Sequence, residues 1–167
     1  SVSPVQLYLD NNMLETLPAD SEGYFCGYAD SESFSVKYNR LKKIPNIFSA
    51  KGNATLTSLD LSGNQIDGCE GEEDGTYRGL KANTFTLAQN PKLTKYPLAL
   101  AKTNSTVAYI ILRGCSINEI PKGSFEYENS IYMTSIDLSY NKLKDLPREV
   151  HAVNLPYLYG VELSFNC

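Results

Sequence analysis

The stretch MTSIDLSYNKLKDLP, residues 133–147, contains the pattern that decides the fold. Ile136 and Leu138 are separated by one residue, which is the spacing of two side chains on the same face of a β-strand. Asn141 follows three residues after Leu138, and the stretch ends at Pro147, whose ring fixes φ and favours a change of direction. The stretch therefore predicts one short strand with a single buried face, followed by a turn.

Copies of this pattern recur along the whole chain. Each copy has an apolar-x-apolar pair, two further residues, and then an asparagine or a cysteine, at successive steps of 27, 25, 26, 25, 26 and 25 residues. These residues, which we call the ladder residues, are Asn12, Asn39, Asn64, Asn90, Cys115, Asn141 and Asn166. A single short strand is not stable alone. The period therefore predicts about seven stacked copies whose strands pair in one parallel sheet.

The ladder residues are predicted to satisfy backbone groups at the bend after each strand. A carboxamide has one acceptor oxygen and two N–H donors, so stacked asparagines would bond to neighbouring copies. Cys115 occupies one rung, where a small, readily buried, weak donor is tolerated. Cys69 occupies a buried apolar position, whereas Cys26 and Cys167 lie elsewhere in their copies. These positions bring no two cysteines together, so we predict no disulfide.

The repeat closely resembles the leucine-rich repeat, whose pattern is L-x-x-L-x-L-x-x-N/C-x-L. The resemblance implies one domain over residues 1–167, an α/β-type solenoid curved into a right-handed superhelix. Its strands would form a concave parallel sheet, and its convex side would be irregular or short-helical. We use the name concave face for the outward side of that sheet. Because neither end has a polar cap, we expect an array truncated at both ends, or end-to-end self-association.

The irregular period, the Leu-Pro and Ile-Pro elements and the many tyrosines are similar to bacterial secreted or surface-attached leucine-rich-repeat proteins. That resemblance implies adhesion or protein recognition and an extracellular or cell-surface location. Two alternatives stay open, a structural spacer and a targeting arm of a larger protein whose effector or catalytic domain lies outside this sequence. Fold alone does not separate these functions.

The composition argues against a nucleic-acid partner and gives no sign of a membrane span. The 167 residues have a formal net charge of −4 and a pI near 5.0, and the 15 basic residues are scattered. Nucleic-acid binding needs a concentrated basic surface. No apolar run approaches the roughly 18 residues that suggest a transmembrane helix, and residues 1–4 do not resemble a signal peptide.

Nothing in the sequence has the arrangement of an active site or a metal site. His151 is the only histidine, and no nucleophile motif accompanies it. The acidic stretch 70–74 lacks the spacing of a calcium-binding loop. We therefore predict a protein that is not an enzyme, with no catalytic residues, no cofactor and no metal.

The concave face is the predicted binding surface, because solenoids commonly bind partners there. The outward positions are rich in aromatic residues and poor in charge, which favours a protein or peptide ligand. The predicted partner-binding residues are Tyr8, Tyr38, Tyr109, Ile111, Arg113, Asp137, Tyr140, Glu162 and Phe165. Alternatively, some of these residues are present only because they suit a pleated strand surface, and Tyr140 and Phe165 simply pack on each other. Binding would then occur on the convex side, at an edge or outside this sequence.

Overall fold

The structure is a computed structural model that describes residues 6–18, 31–46, 56–70, 82–101, 107–125, 132–145 and 155–167. Each range contains one strand, and we number the ranges coil 1 to coil 7. Cys26, His151 and the acidic residues Glu72, Glu73 and Asp74, on which predictions were made, lie outside the described residues.

Seven parallel strands form one sheet in sequence order, as the repeat predicts. The strands are β1 (Gln6–Tyr8), β2 (Ser33–Ser35), β3 (Leu56–Asp60), β4 (Ala82–Thr86), β5 (Tyr109–Ile111), β6 (Ser135–Asp137) and β7 (Gly160–Glu162). Equivalent positions of neighbouring copies are paired throughout, so that Ile110 lies beside Ile136 and Ile136 lies beside Val161. Stacking in register therefore keeps each apolar position of the repeat over the same position of the next coil.

The core consists of the inward apolar residues of the repeat. In the central coils these residues are completely or almost completely buried, including Phe34, Leu59, Phe85, Ile110 and Ile136. A second buried column follows two residues later: Val36, Leu61, Leu87, Leu112 and Leu138. The alternation of buried and outward side chains is the reason that the residues between these columns form the concave face.

The described residues opposite the sheet contain little regular structure. Its one described helix is the four-residue α1 (Leu98–Ala101). An isolated parallel bridge joins Ile44 to Cys69, both of which are buried, as the repeat predicts for Cys69. No helix in the described coils is long and apolar enough to cross a membrane.

Hydrogen bonds from the ladder residues connect neighbouring coils. Asn64 Nδ2 donates to Val36 O of the preceding coil at 2.9 Å and to Leu61 O of its own coil at 3.0 Å. Asn64 Oδ1 accepts the N–H of Leu41, also in the preceding coil, at 3.0 Å. The same three types of bond recur at Asn39, Asn90, Asn141 and Asn166.

The Cys115 thiol replaces the N–H donor of a ladder asparagine but not its acceptor oxygen. Its Sγ donates to Leu87 O of coil 4 at 3.2 Å. Coil 4 has one extra residue after its ladder residue, and there the N–H of Leu93 donates to Asn90 O at 3.0 Å. This local bond satisfies the N–H of the apolar residue within its own coil. A thiol, which is a weak acceptor, is therefore sufficient at position 115.

Candidate functional site

The residue before each ladder residue has a left-handed backbone. Five of these residues are not glycine, with φ between 53° and 58°: Asn11, Tyr38, Gln89, Tyr140 and Phe165. The other two are Gly63 and Gly114, with φ of 68° and 69°. All seven lie beyond the ends of the strands. Strand propensity therefore does not explain the aromatic residues at positions 38, 140 and 165, and the alternative based on it is wrong for these three.

A large side chain at this position is unfavourable for the backbone. An L-residue in the left-handed region is disfavoured by roughly 1–2 kcal/mol, whereas glycine enters it readily. The chain uses glycine in coils 3 and 5 but an aromatic residue in coils 2, 6 and 7. Sequence reasoning missed this conformation, although Gly63, Gly114 and Asn11 share the position and are typical left-handed residues.

Arg113, Tyr140 and Phe165 form one continuous stack across coils 5, 6 and 7. The Arg113 guanidinium carbon lies 4.3 Å from the centroid of the Tyr140 ring. The Phe165 ring stacks on the same tyrosine with centroids 4.4 Å apart and an interplanar angle of 22°. Two groups this close to one ring must occupy its opposite faces. Tyr140 is therefore sandwiched between a cation and an aromatic ring, yet it is 43% exposed.

A second aromatic cluster lies where strands β5 to β7 begin. The hydroxyl oxygens of Tyr109 and Tyr159 are 3.3 Å apart. The hydrogen bond between these hydroxyls, in which either can be the donor, lowers the pKa of Tyr109 and raises the pKa of Tyr159. Tyr132, Tyr157 and Tyr159 are exposed and just precede β6 and β7, but they were not among the predicted residues. Their position in the sequence could have revealed them, because the strings YMT and YLYG lie just before the apolar pairs of coils 6 and 7.

Acidic side chains at the ends of β3, β6 and β7 form turns with a serine two residues later. Asp137 Oδ1 accepts the N–H of Ser139 at 2.9 Å and its hydroxyl at 2.6 Å. Glu162 Oε1 accepts the N–H of Ser164 at 2.8 Å and also its hydroxyl. Hydrogen bonds from Ser164 lower the pKa of Glu162. The repeated strings Asp-Leu-Ser and Glu-Leu-Ser are the sequence signal for these turns.

In coils 1 to 3 a lysine lies between two carboxylates. Lys37 Nζ is 3.7 Å from Asp10 Oδ2 and 3.8 Å from Asp60 Oδ2. Asp10 also accepts hydrogen bonds from the Ser35 hydroxyl and from the N–H of Lys37, at 2.6 and 2.8 Å. In coils 1 to 3, Lys37 therefore compensates the negative charges of Asp10 and Asp60.

The structure separates the predicted partner-binding residues into two regions. Tyr8 and Tyr38 lie in coils 1 and 2, where Tyr8 donates to Gln6 and the Tyr38 ring covers Gly63. The other seven residues lie in coils 5, 6 and 7, where Ile111 is half-buried. Within the described ranges, no three His, Cys, Asp or Glu side chains are grouped so that they could hold a metal ion.

Comparisons with known proteins agree with this architecture. A family model described as Leucine Rich Repeat matches residues 55–74. Lumican from Bos taurus is 30% identical over 165 residues, which cover 97% of this chain and 44% of lumican. Keratocan from Coturnix japonica is 29% identical over 162 residues, 96% of this chain and 42% of keratocan.

Two solved bacterial structures have the same fold. A leucine-rich repeat protein from Bacteroides eggerthii superposes with a TM-score of 0.81 and 34% identity over 99% of this chain. A leucine-rich repeat protein from Bacteroides thetaiotaomicron superposes with a TM-score of 0.72 and 36% sequence identity over 83% of this chain. The chain spans 28% and 17% of those two proteins, and less than half of the lumican and keratocan named above. The repeat, its parallel sheet and these similarities show that the chain is a leucine-rich-repeat protein.

Proposed function

We propose that this chain is a non-catalytic recognition module that binds a protein or peptide partner on the concave face of coils 5 to 7. The observation that carries the proposal is the exposed stack of Arg113, Tyr140 and Phe165. Tyr140 and Phe165 stand where glycine would be the less strained residue. Backbone strain of this kind is concentrated at functional sites. Tyr140 and Phe165 pack on each other yet stay 43% and 70% exposed, and a role in binding accounts for large exposed side chains at this position.

The residue types also suit an interface. Tyrosine and arginine are enriched among the residues that dominate binding energy. A tyrosine ring supplies a large contact area with little side-chain entropy to lose, and its hydroxyl provides a polar contact. Tyr109 and Tyr159 add such groups at the opposite edge of the same three coils. A ligand would therefore lie across the coils between two aromatic edges.

We also propose an extracellular or cell-surface location in a bacterium, where the module would serve adhesion or partner recognition. The similarity to the Bacteroides proteins supports a bacterial source. The tyrosine-rich repeat, which resembles secreted and surface-attached bacterial proteins, supports the location. Fractionation of cells that express the full-length protein, followed by protease treatment of intact cells, would test it. Protection of the protein in intact cells would contradict this location.

The binding site can be tested by selection from a displayed random peptide library. Peptides selected on the wild-type chain should bind the triple variant Tyr109→Ala, Arg113→Ala and Tyr140→Ala at least about tenfold more weakly, because two or three dominant contacts are removed. A circular dichroism spectrum matching that of the wild type would show that the variant is folded. The matched control is Tyr8→Ala with Tyr38→Ala, which removes aromatic rings from the same face in coils 1 and 2. Equal binding by the triple variant would rule out this site.

A further inference from the structure

After their ladder residues, neighbouring coils run side by side, and backbone hydrogen bonds join them. The N–H of Asp67 in coil 3 donates to Lys42 O of coil 2 at 3.1 Å, and the N–H of Asn118 in coil 5 donates to Thr94 O of coil 4 at 2.9 Å. Between coils 3 and 4, the described residues that follow the ladder residues make no backbone bond of this kind, although the ladder bond between these coils is intact. The backbone connection between the coils is therefore interrupted here.

The sequence of coil 4 explains the interruption. In coil 3, Gln65 and Glu70 each donate a backbone N–H to coil 2 at 2.9 Å. Pro91 and Pro97 occupy the corresponding positions of coil 4, and proline has no N–H. Coil 4 also has one extra residue between its ladder residue and Leu93, which moves its backbone groups out of step with those of coil 3. Two lost donors and a shifted chain therefore leave coils 3 and 4 unjoined.

A cavity of about 270 Å³ opens between the coils at this interruption. Coils 3, 4 and 5 line it, through Asp67 and Gly68, residues 93–98, and Pro121. Within the described ranges, Asp67 O accepts no hydrogen bond and the N–H of Thr94 donates none. The hydroxyl of Tyr96, another lining residue, is buried without a hydrogen-bond partner. The lining residues therefore include an unpaired acceptor in coil 3 and two unpaired donors in coil 4.

We propose that this cavity binds the neutral amide group of a ligand. The amide N–H would donate to Asp67 O, and the amide oxygen would accept from the Thr94 N–H and the Tyr96 hydroxyl. An amide carries both a donor and an acceptor, so it can bond to two coils at once. The chain itself uses this chemistry, because the carboxamide of Asn64 joins coils 2 and 3. The proposal does not rest on the proposed function, since the cavity shares no residue with the concave face of coils 5 to 7.

The charges around the cavity favour a neutral ligand. Asp67 is paired with Lys43 at 3.2 Å, and Lys95 is paired with Glu119 at 2.9 Å. A charged ligand would have to displace one of these pairs, whereas a neutral amide leaves both intact. The apolar lining residues suit an aliphatic group beside the amide; they are Leu93, Pro97, Leu98 and Pro121.

The size of the cavity limits the ligand to one small group. Its volume corresponds to roughly nine water molecules at about 30 Å³ each. One side chain or one sugar ring fits such a space, and a whole peptide segment does not. Two sources of a neutral amide meet these requirements, the side-chain carboxamide of a peptide and the acetamido group of an amino sugar.

The experiment is a titration followed by the backbone amide NMR signals of the 15N-labelled chain. The probes are a hexapeptide that alternates glycine with glutamine, and N-acetylglucosamine. Their comparators, which lack the tested amide, are the glycine–methionine hexapeptide and glucose. One probe should shift the signal of Thr94 saturably and bind about tenfold more tightly than its comparator. Saturation by the peptide alone would identify a carboxamide side chain as the ligand, and saturation by the sugar alone an acetamido group.

Two variants test the location of the site. Deletion of Pro91 removes the extra residue and brings Lys92, which has an N–H, to the position of Gln65. Because coil 4 can then bond to coil 3, this variant should bind the probe at least about tenfold more weakly, and a urea midpoint no lower than that of the wild type would show that it is folded. The matched control is Lys92→Ala, which keeps Pro91 and the extra residue and should bind as the wild type does. Tyr96→Phe, which removes only the hydroxyl, should bind about three- to tenfold more weakly.

Several results would overturn the proposal. Equal binding of a probe and its comparator would mean that the amide is not recognised, and the absence of saturable shifts with both probes at high millimolar concentration would mean that the cavity holds only solvent. Unchanged affinity in Tyr96→Phe or in the folded Pro91 deletion would also overturn it, and Tyr96→Phe alone decides if the deletion prevents folding. The Tyr109→Ala, Arg113→Ala and Tyr140→Ala triple variant should bind the probe as the wild type does. A loss there would place the probe on the concave face, which would contradict this site and leave the proposed function intact.

Discussion

Tyr140 and Phe165 stack with ring centroids 4.4 Å apart, although both have a left-handed backbone, with φ of 55° and 57°. Neighbouring left-handed positions place the two side chains side by side at the end of the strands. Stacking of this kind contributes about 0.5–1.5 kcal/mol beyond the burial of area. The stack therefore offsets part of the backbone strain while leaving the rings exposed to a ligand.

The strain at Tyr140 can be measured by comparing two substitutions that both remove the ring. Tyr140→Gly should be about 1 kcal/mol more stable than Tyr140→Ala, because glycine enters the left-handed region without the Cβ clash. Chemical denaturation of both variants gives the difference in the free energy of unfolding. The control is the same pair at Arg113, which has no positive φ. At position 113 the alanine variant should be more stable than the glycine variant. If Tyr140→Ala were also more stable than Tyr140→Gly, the backbone at position 140 would not be strained.

Asn64 should contribute far more stability than Asn12, although both are ladder residues. Asn64→Ala removes bonds to Val36 O, Leu61 O and Leu41 N, so buried backbone groups are left unsatisfied at about 1–3 kcal/mol each. We expect the free energy of unfolding to fall by roughly 2–4 kcal/mol. Asn12 is exposed, and among the described residues it donates only to carbonyls of its own coil. Asn12→Ala should therefore lower the free energy of unfolding by less than about 1 kcal/mol. Equal losses in urea titrations would contradict this account.

The periodic features of the fold were predictable from the sequence, and the features that depend on individual side chains were not. The apolar pairs and ladder residues recur at a nearly fixed step, so they predicted seven strands and their in-register stacking. The left-handed position is occupied by residue types as different as Gly63, Gln89 and Tyr140, so composition gave no consistent signal for it. The contact between Tyr109 and Tyr159 joins residues from different columns and coils, which a column-by-column reading of the repeat cannot reveal.

Burial of Cys115 should make stability depend on pH in the alkaline range. Desolvation raises the pKa of this thiol from 9.0 to about 11. A pKa that is higher in the folded state stabilises the protein below pH 9, and this contribution is lost as pH rises toward 11. The wild type should therefore lose on the order of 2–3 kcal/mol over that window, at about 1.4 kcal/mol per pKa unit.

The thiol's share is isolated by comparing the wild type with Cys115→Ala. The difference between their free energies of unfolding should shrink by about 2 kcal/mol between pH 8 and pH 11, because only the wild type has this titration. Cys167→Ala serves as the control, since it removes an exposed thiol. A Cys115 difference that stays constant with pH would show that burial does not raise the pKa of this thiol.

Gly63 and Tyr38 should be energetically coupled, because the tyrosine ring of coil 2 covers the glycine of coil 3. A Cβ added at Gly63 would lie 2.7 Å from Tyr38 Cε1, and its backbone has φ of 68°. Gly63→Ala should therefore lower the free energy of unfolding by about 1 kcal/mol for the backbone, with a further loss for displacing the ring. In the Tyr38→Ala background only the backbone part should remain. A double-mutant cycle measured by chemical denaturation should then give a coupling of roughly 0.5–1.5 kcal/mol, whereas simple additivity would mean that the ring does not pack against Gly63 in solution.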